Sequence, residues 1–266
     1  MIEEPPAVNA LRGKTAVFSG LSSEFAEPLI PALAGQGARL VLVDRDSDLV
    51  EQQVTALRAR FTSVSGFVCD LSESAVHALA RRIEAEFAPV DVLVTCPPDR
   101  LYQPTPDPGY AEFRALVADA LDHAFLWSSA ILPSMRIRQS GVIVHVTGLC
   151  GMGGWRGWVP AGAAFAAIHN LVQTLAIEVA EDGVRVNGLV PGVTETLARR
   201  IADNLPVEAR DALDQRVPMK RWLTHDELAH ALLYLVQPTS SYVTGERLVV
   251  DGGWDSWGRL YAAARS

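Results

Sequence analysis

Seven short aliphatic runs, spaced by longer amphipathic stretches, constrain this 266-residue chain more than any other feature. They are Thr15–Ser19, Arg39–Val43, Ser65–Val68, Val90–Thr95, Gly141–Val146, Arg185–Leu189 and Glu246–Val250. Rich in Val and Leu and with little alternation, they have the pattern of strands buried on both faces. Helical periodicity fills the gaps, for instance over Asp48–Arg60, Ser74–Phe87, Tyr110–Arg138, Ala163–Glu181 and His225–Val236. Strand and helix in alternation predict an α/β fold: a seven-stranded parallel sheet, doubly wound, with helices on both faces. No repeat, low-complexity segment or long linker interrupts the pattern, so residues 11–266 are expected to form a single domain. Its ligand crevice is expected at the carboxyl ends of the strands.

Composition narrows the partners. A hydrophobic content of 49% suffices for one large core. The net charge of −8 is spread along the chain, which argues against nucleic acid and against an anionic membrane surface. Cys69, Cys96 and Cys150 have no metal-type spacing, and no metal site is expected. So sparse and odd a set fits a reducing compartment, and the expected location is cytoplasmic. Residues 1–10, acidic and proline-bearing, are expected to form a disordered N-terminal arm. No stretch is read as apolar enough for long enough to span a bilayer.

Five segments, in order along nearly the whole chain, carry a resemblance. The first is Gly13-Lys14-Thr15-Ala16-Val17-Phe18-Ser19-Gly20, a strand running into a glycine turn. Asp44 ends the second strand, and Cys69-Asp70-Leu71 follows the third. Gly183-Val184-Arg185-Val186-Asn187 leads to Val190-Pro191-Gly192 and Thr196. The tail holds Pro218-Met219-Lys220-Arg221, Tyr242-Val243-Thr244-Gly245 and Val249-Val250-Asp251-Gly252-Gly253-Trp254. Together they resemble the short-chain dehydrogenase/reductase family. That resemblance implies a Rossmann-type sheet, a nicotinamide cofactor and, usually, a tetramer.

The family's glycine turn is Thr-Gly-x-x-x-Gly-x-Gly, which lets the backbone approach a pyrophosphate at a helix N-terminus. Here it reads Ser19-Gly20-Leu21-Ser22-Ser23-Glu24-Phe25-Ala26. Gly20 stands, but Glu24 and Ala26 replace the other two glycines. A carboxylate ~5 Å from a phosphate charge costs roughly 3 kcal/mol at an effective dielectric of about 20. A micromolar cofactor affinity is worth only about 8 kcal/mol in total. The family's Asn-Asn-Ala-Gly after the fourth strand is here Thr95-Cys96-Pro97-Pro98. Against these changes, Gly20, Asp44, Asp70 and Thr196 match cofactor contacts of the family. Asp44, placed for an adenosine ribose, would favour NAD over NADP. The expectation is a vestigial or weak site, with no cofactor bound tightly and NAD rather than NADP if any.

The resemblance also implies four catalytic positions: a tyrosine, a lysine four residues on, a serine and an asparagine. In this chain they are Ala161, Phe165, Gly148 and Ala120. No tyrosine lies between Tyr110 and Tyr234 and no lysine between Lys14 and Lys220, so no register restores the pair. Candidate replacements in the pocket are His123, His145 and Arg156. His123 with Asp119 or Asp122 would make a base and its orienter. Cys150 has no basic neighbour and reads as an inert thiol. The tract Gly151-Met152-Gly153-Gly154-Trp155-Arg156-Gly157-Trp158 reads as a flexible loop with aromatic anchors.

The resulting expectation is a pseudoenzyme: a non-catalytic subunit that pairs with an active dehydrogenase of the same family, or else a homo-oligomer. One alternative is a non-redox enzyme, a lyase, cyclase or isomerase in a remodelled pocket. Another is an NAD-binding sensor module.

Overall fold

The computed structural model describes residues 9–203 and 216–257. Its seven strands are β1 (Thr15–Ser19), β2 (Arg39–Asp44), β3 (Val64–Val68), β4 (Val90–Thr95), β5 (Gly141–Val146), β6 (Val184–Pro191) and β7 (Arg247–Val250). All pair in parallel in the order β3-β2-β1-β4-β5-β6-β7. The aliphatic runs become strands because each buries both faces. Every residue of β1 is buried, as are Leu40–Val43 of β2 and Ile143–Val146 of β5. The strand order reverses between β1 and β4, which opens a crevice at their carboxyl ends.

The helices are α1 (Ala26–Gly35), α2 (Ser47–Arg58), α3 (Glu73–Glu86), α4 (Tyr110–Val117), α5 (His123–Arg138), α6 (Val159–Val179), α7 (Glu195–Asp203) and α8 (His225–Val236). They cover both faces of the sheet. Side-chain caps start several of them. The Asp46 carboxylate accepts from Asp48 and Leu49, and Thr224 and Glu227 close a reciprocal capping box on α8. Gly66 lets α2 lie against β3, since a Cβ there would stand 2.6 Å from methyls of both Val50 and Val54.

Two expectations change. The single helix read over Tyr110–Arg138 is broken by a π-helical turn at Ala118–Asp122, which places Asp119 and Ala120 in a local bulge. Two helical stretches, 110–138 and 159–182, do have the length and hydropathy of a membrane span. They are apolar nearly all round because one side, with Trp127, Ile131, Ala164 and Phe165, is buried in the core. The terminal arm lies mostly outside the described residues; Asn9 and Ala10 form a turn, and the Ala10 amide donates to Gln36.

A row of hydroxyl–imidazole pairs underlies the crevice. Ser19, Thr95 and His145 are register neighbours across β1, β4 and β5. Ser19 Oγ and His123 Nε2 share a hydrogen bond of 2.8 Å. His145 sits between Thr95 (2.7 Å) and Ser128 (3.1 Å). Because the Ser128 hydroxyl donates to the Ala124 carbonyl, it accepts from His145 Nε2, and Thr95 then donates to Nδ1. Thr147 Oγ1 lies 2.9 Å from His169 Nε2.

Burial holds these rings neutral. It pulls His123 down to about 3, with help from Arg45 and His145, and pulls His145 and His169 down to about 4. An unfolded histidine titrates near 6.5, so below that pH the unfolded chain binds more protons than the native one. The stability contributed by the neutral rings is therefore full above pH about 6.5 and is lost as pH falls toward 4. Each ring is expected to cost about 2 kcal/mol by pH 5. Thermal unfolding between pH 7.5 and 5 should show a steadily falling Tm, and a flat profile would contradict this.

Candidate functional site

The crevice divides into two compartments. The first, a cavity of about 90 Å³, lies between the turn after β1, the end of β2 and the π-helical turn. Gly20 is obligatory in its wall: its φ is +99°, and a Cβ would fall 1.8 Å from the Cys96 carbonyl oxygen. Asp44 ends β2 with a buried carboxylate that accepts from the Leu21 amide at 2.6 Å and the Asp46 amide at 3.1 Å. Beside it, Arg45 donates to Asp119 at 2.8 Å, and Arg100 pairs with the same carboxylate. Asp119 is buried while both guanidinium groups are half exposed. Two cations thus share one buried anion in this cavity, and with the Asp44 carboxylate in the same wall the lining is charge-balanced, with both guanidinium groups reachable from the cavity. Partial burial, then Arg45, lowers the Arg100 pKa.

The second compartment is nearly filled. About 10 Å³ remains between Phe25, Tyr102, Gly148, Trp155, Trp158 and the Pro191–Val193 loop. Tyr102 meets Phe25 edge-on at 4.8 Å and lies 5.5 Å from Phe165. Its hydroxyl donates to the Thr147 carbonyl at 2.9 Å. Trp155 stacks on Trp254 at 5.2 Å and meets Trp158 at 5.5 Å, closing the outer side. Cys150 lies in this wall and Cys96 in that of the first compartment. Burial pushes both thiols up to about 12, which leaves them without nucleophilic character at neutral pH.

A part-buried ion cluster joins segments that line the two compartments. The Glu24 carboxylate accepts from Thr194 Oγ1 at 2.5 Å and lies 3.4 Å from Arg200, which donates to Asp99 at 2.7 Å. Asp99 in turn accepts the Glu24 amide at 2.8 Å. Burial raises the Glu24 pKa against the lowering pull of Thr194 and Arg200.

Of the residues expected at a site, Gly20, Asp44 and His123 do meet in the first compartment. His123 bonds to Ser19 rather than to Asp119 or Asp122, because Asp119 is engaged by arginines. His145 is fully buried between sheet and α5, and Arg156 is exposed on its loop; neither lines a compartment. Asp70 is exposed and accepts from the Ser72 amide. Thr196 is exposed on α7, whereas Thr194 points inward to Glu24. Ala120, Ala161 and Phe165 are buried, and Gly148 lies between Tyr102 and Phe165. Among the described residues no trio of His, Cys, Asp and Glu converges as a metal site. Sequence reasoning missed Arg45, Arg100, Tyr102 and Arg200; only Arg45, basic and directly after the strand-ending Asp44, carried a local signal.

Comparison with known proteins fits this geometry. A family model described as enoyl-(acyl carrier protein) reductase matches residues 20–255. A galactitol 2-dehydrogenase (L-tagatose-forming) of Cereibacter sphaeroides is 33% identical over 93% of this chain and 97% of its own. A 2-dehydro-3-deoxy-D-gluconate 5-dehydrogenase of Pseudoalteromonas atlantica is 31% identical over 92% and 97%. The crystal structure of a gluconate 5-dehydrogenase from Burkholderia cenocepacia J2315, in complex with NADP and tartrate, superposes with a TM-score of 0.85. It is 26% identical and the match covers 94% of this chain and 99% of that one. These findings correct two expectations. The relatives are named for dehydrogenase activities of their own, which overturns the pseudoenzyme subunit and, with it, the non-redox and sensor alternatives. A neighbour holding NADP overturns the expectation that no cofactor binds tightly and points to a nicotinamide cofactor rather than none. With the match running from Gly20 in the first turn to Asp255 beyond the last strand, this chain belongs to the short-chain dehydrogenase/reductase family.

Proposed function

We propose that the chain is an oxidoreductase that takes a nicotinamide dinucleotide by its adenosine end in the first compartment, in the form phosphorylated on the adenosine ribose. The convergence of Arg45 and Arg100 on Asp119 carries this reading, the two guanidinium groups offsetting the Asp44 carboxylate that would otherwise repel a ribose phosphate. A bare dinucleotide has no use for two guanidinium groups at its ribose, whereas a ribose phosphate takes both in charge-assisted hydrogen bonds. Bound, the dinucleotide would supply hydride transfer. The residues present fit its adenosine end; at the other end Tyr102, Phe25 and Phe165 occupy the space, and no step is assigned there. The relatives' names make polyols and sugar acids the substrates to assay first.

The reading includes a remodelled catalytic half. Ala161, Phe165, Gly148 and Ala120 stand where the family resemblance implies tyrosine, lysine, serine and asparagine, so proton exchange must use other groups. The replacements are mutually adapted. A Cβ on Gly148 would stand 2.9 Å from the Phe165 ring and 3.2 Å from Tyr102, so a serine does not fit while Phe165 is in place. Exposed Phe125 and Ile137 on α5, with Val159 and Ile177 on α6, support assembly into a homo-oligomer, as is typical of relatives.

Two measurements test this. Titration of NADPH and NADH against Arg45→Gln and Arg100→Gln should show a loss of about ten- to a hundredfold for NADPH, with NADH little changed. Equal losses for both nucleotides, or none, would overturn the ribose-phosphate reading. Urea unfolding of Gly148→Ser should show destabilisation of about 1–3 kcal/mol from overpacking against Phe165. A serine tolerated without cost would mean that the compartment is looser than its contacts imply.

A further inference from the structure

The Glu24 cluster ties together three segments that also line the crevice, Ser22 and Pro98 at its open end and Phe25, Tyr102 and Leu197 at its filled end. Glu24 belongs to the turn after β1, Asp99 to the loop after β4, and Thr194 and Arg200 to the loop and helix after β6. Asp99 accepts the Glu24 amide through Oδ1 and pairs with Arg200 through Oδ2, so it is held from both sides. It also begins the short 3-10 turn Asp99–Tyr102, whose last residue fills the second compartment. The Arg200–Glu24 contact, at 3.4 Å, is an ion pair without hydrogen-bond alignment, and Glu24 Oε2 makes no hydrogen bond among the described residues. Among the described residues the cluster thus sets Arg200 between two carboxylates, beside the turn where the family resemblance puts a dinucleotide's diphosphate. A diphosphate offers that cation a stronger anion than either carboxylate, and Glu24 repels it unless the cluster rearranges.

We propose that Glu24, Asp99 and Arg200 form a latch that closes the crevice between its two ends, and that the diphosphate of an incoming dinucleotide opens it by drawing Arg200 from the carboxylates and releasing the Asp99–Tyr102 turn. Arg200 is then a positioning residue for the diphosphate, and Glu24 sets how rarely the crevice stands open. This inference rests on the nucleotide-binding reading above.

The test compares two probes by stopped-flow fluorescence and calorimetry: NADPH, and adenosine 2′,5′-bisphosphate, which carries only the adenosine end. Glu24→Gln keeps an oxygen for Thr194 while removing the charge, and Asp99→Asn weakens the other side of the latch. Both should raise the NADPH association rate about tenfold or more while leaving the bisphosphate affinity within about twofold, since only the competent fraction changes. Arg200→Gln should weaken NADPH about tenfold or more and spare the bisphosphate. Thermal unfolding establishes that each variant is folded. Wild-type NADPH rates in both carboxylate variants, with the bisphosphate still bound, would overturn the latch and leave the nucleotide site standing. Failure of the bisphosphate to bind any form would overturn the nucleotide site and the latch with it.

Discussion

Glu24 places a carboxylate in the turn between β1 and α1, and burying it there obliges the fold to supply a counter-charge. Arg200 comes from α7 to meet it, and Thr194 donates a hydroxyl from the loop before that helix. Because Arg200 also grips Asp99, the loop after β4 is drawn into the same cluster, and Tyr102 follows into the space beneath. The closed state of the inner compartment thus traces to one part-buried acidic side chain and the partners it requires. A glycine at this position would impose none of these contacts.

The floor beneath the crevice is built on a different economy. Three imidazoles, each bonded to a hydroxyl on or beside the sheet, provide hydrogen bonding without charge. Neutral rings are tolerated in the interior where a charged one would need a buried partner. Charge sits in the Asp44 carboxylate, held by backbone amides, and in the two clusters above, Asp119 with Arg45 and Arg100, and Glu24 and Asp99 with Arg200. Each cluster keeps a guanidinium partly exposed. A ligand with several phosphate groups matches that arrangement better than an uncharged one.

The sheet was legible in the sequence because burial on both faces writes itself as continuous Val and Leu runs. Six of the seven strands have their ends within a residue of the runs; β6 extends further, through Pro191. The absence of any tyrosine between Tyr110 and Tyr234, and of any lysine between Lys14 and Lys220, likewise needs no structure to read. The ion clusters were not. Arg45 and Asp119 lie 74 residues apart, and Thr194 and Glu24 170, so no local pattern announces the pairing. His145 was misjudged as a pocket residue because its place at a strand end says nothing of which face it points to; here it faces α5. Thr196 fell in the expected register, yet the helix start turns it outward and Thr194 inward.

Hydrogen exchange of the folded protein with and without saturating NADPH tests the closed crevice most directly. Peptides covering Cys96–Tyr102 and the Thr194–Asp203 segment include the amides of Leu101 and Ala198, which are held by Pro98 and Thr194 carbonyls in the closed form. If the dinucleotide displaces the latch, the Cys96–Tyr102 peptide exchanges faster in the complex while the Leu21–Arg45 wall is protected. Protection of both regions, or no change in either, would contradict the account.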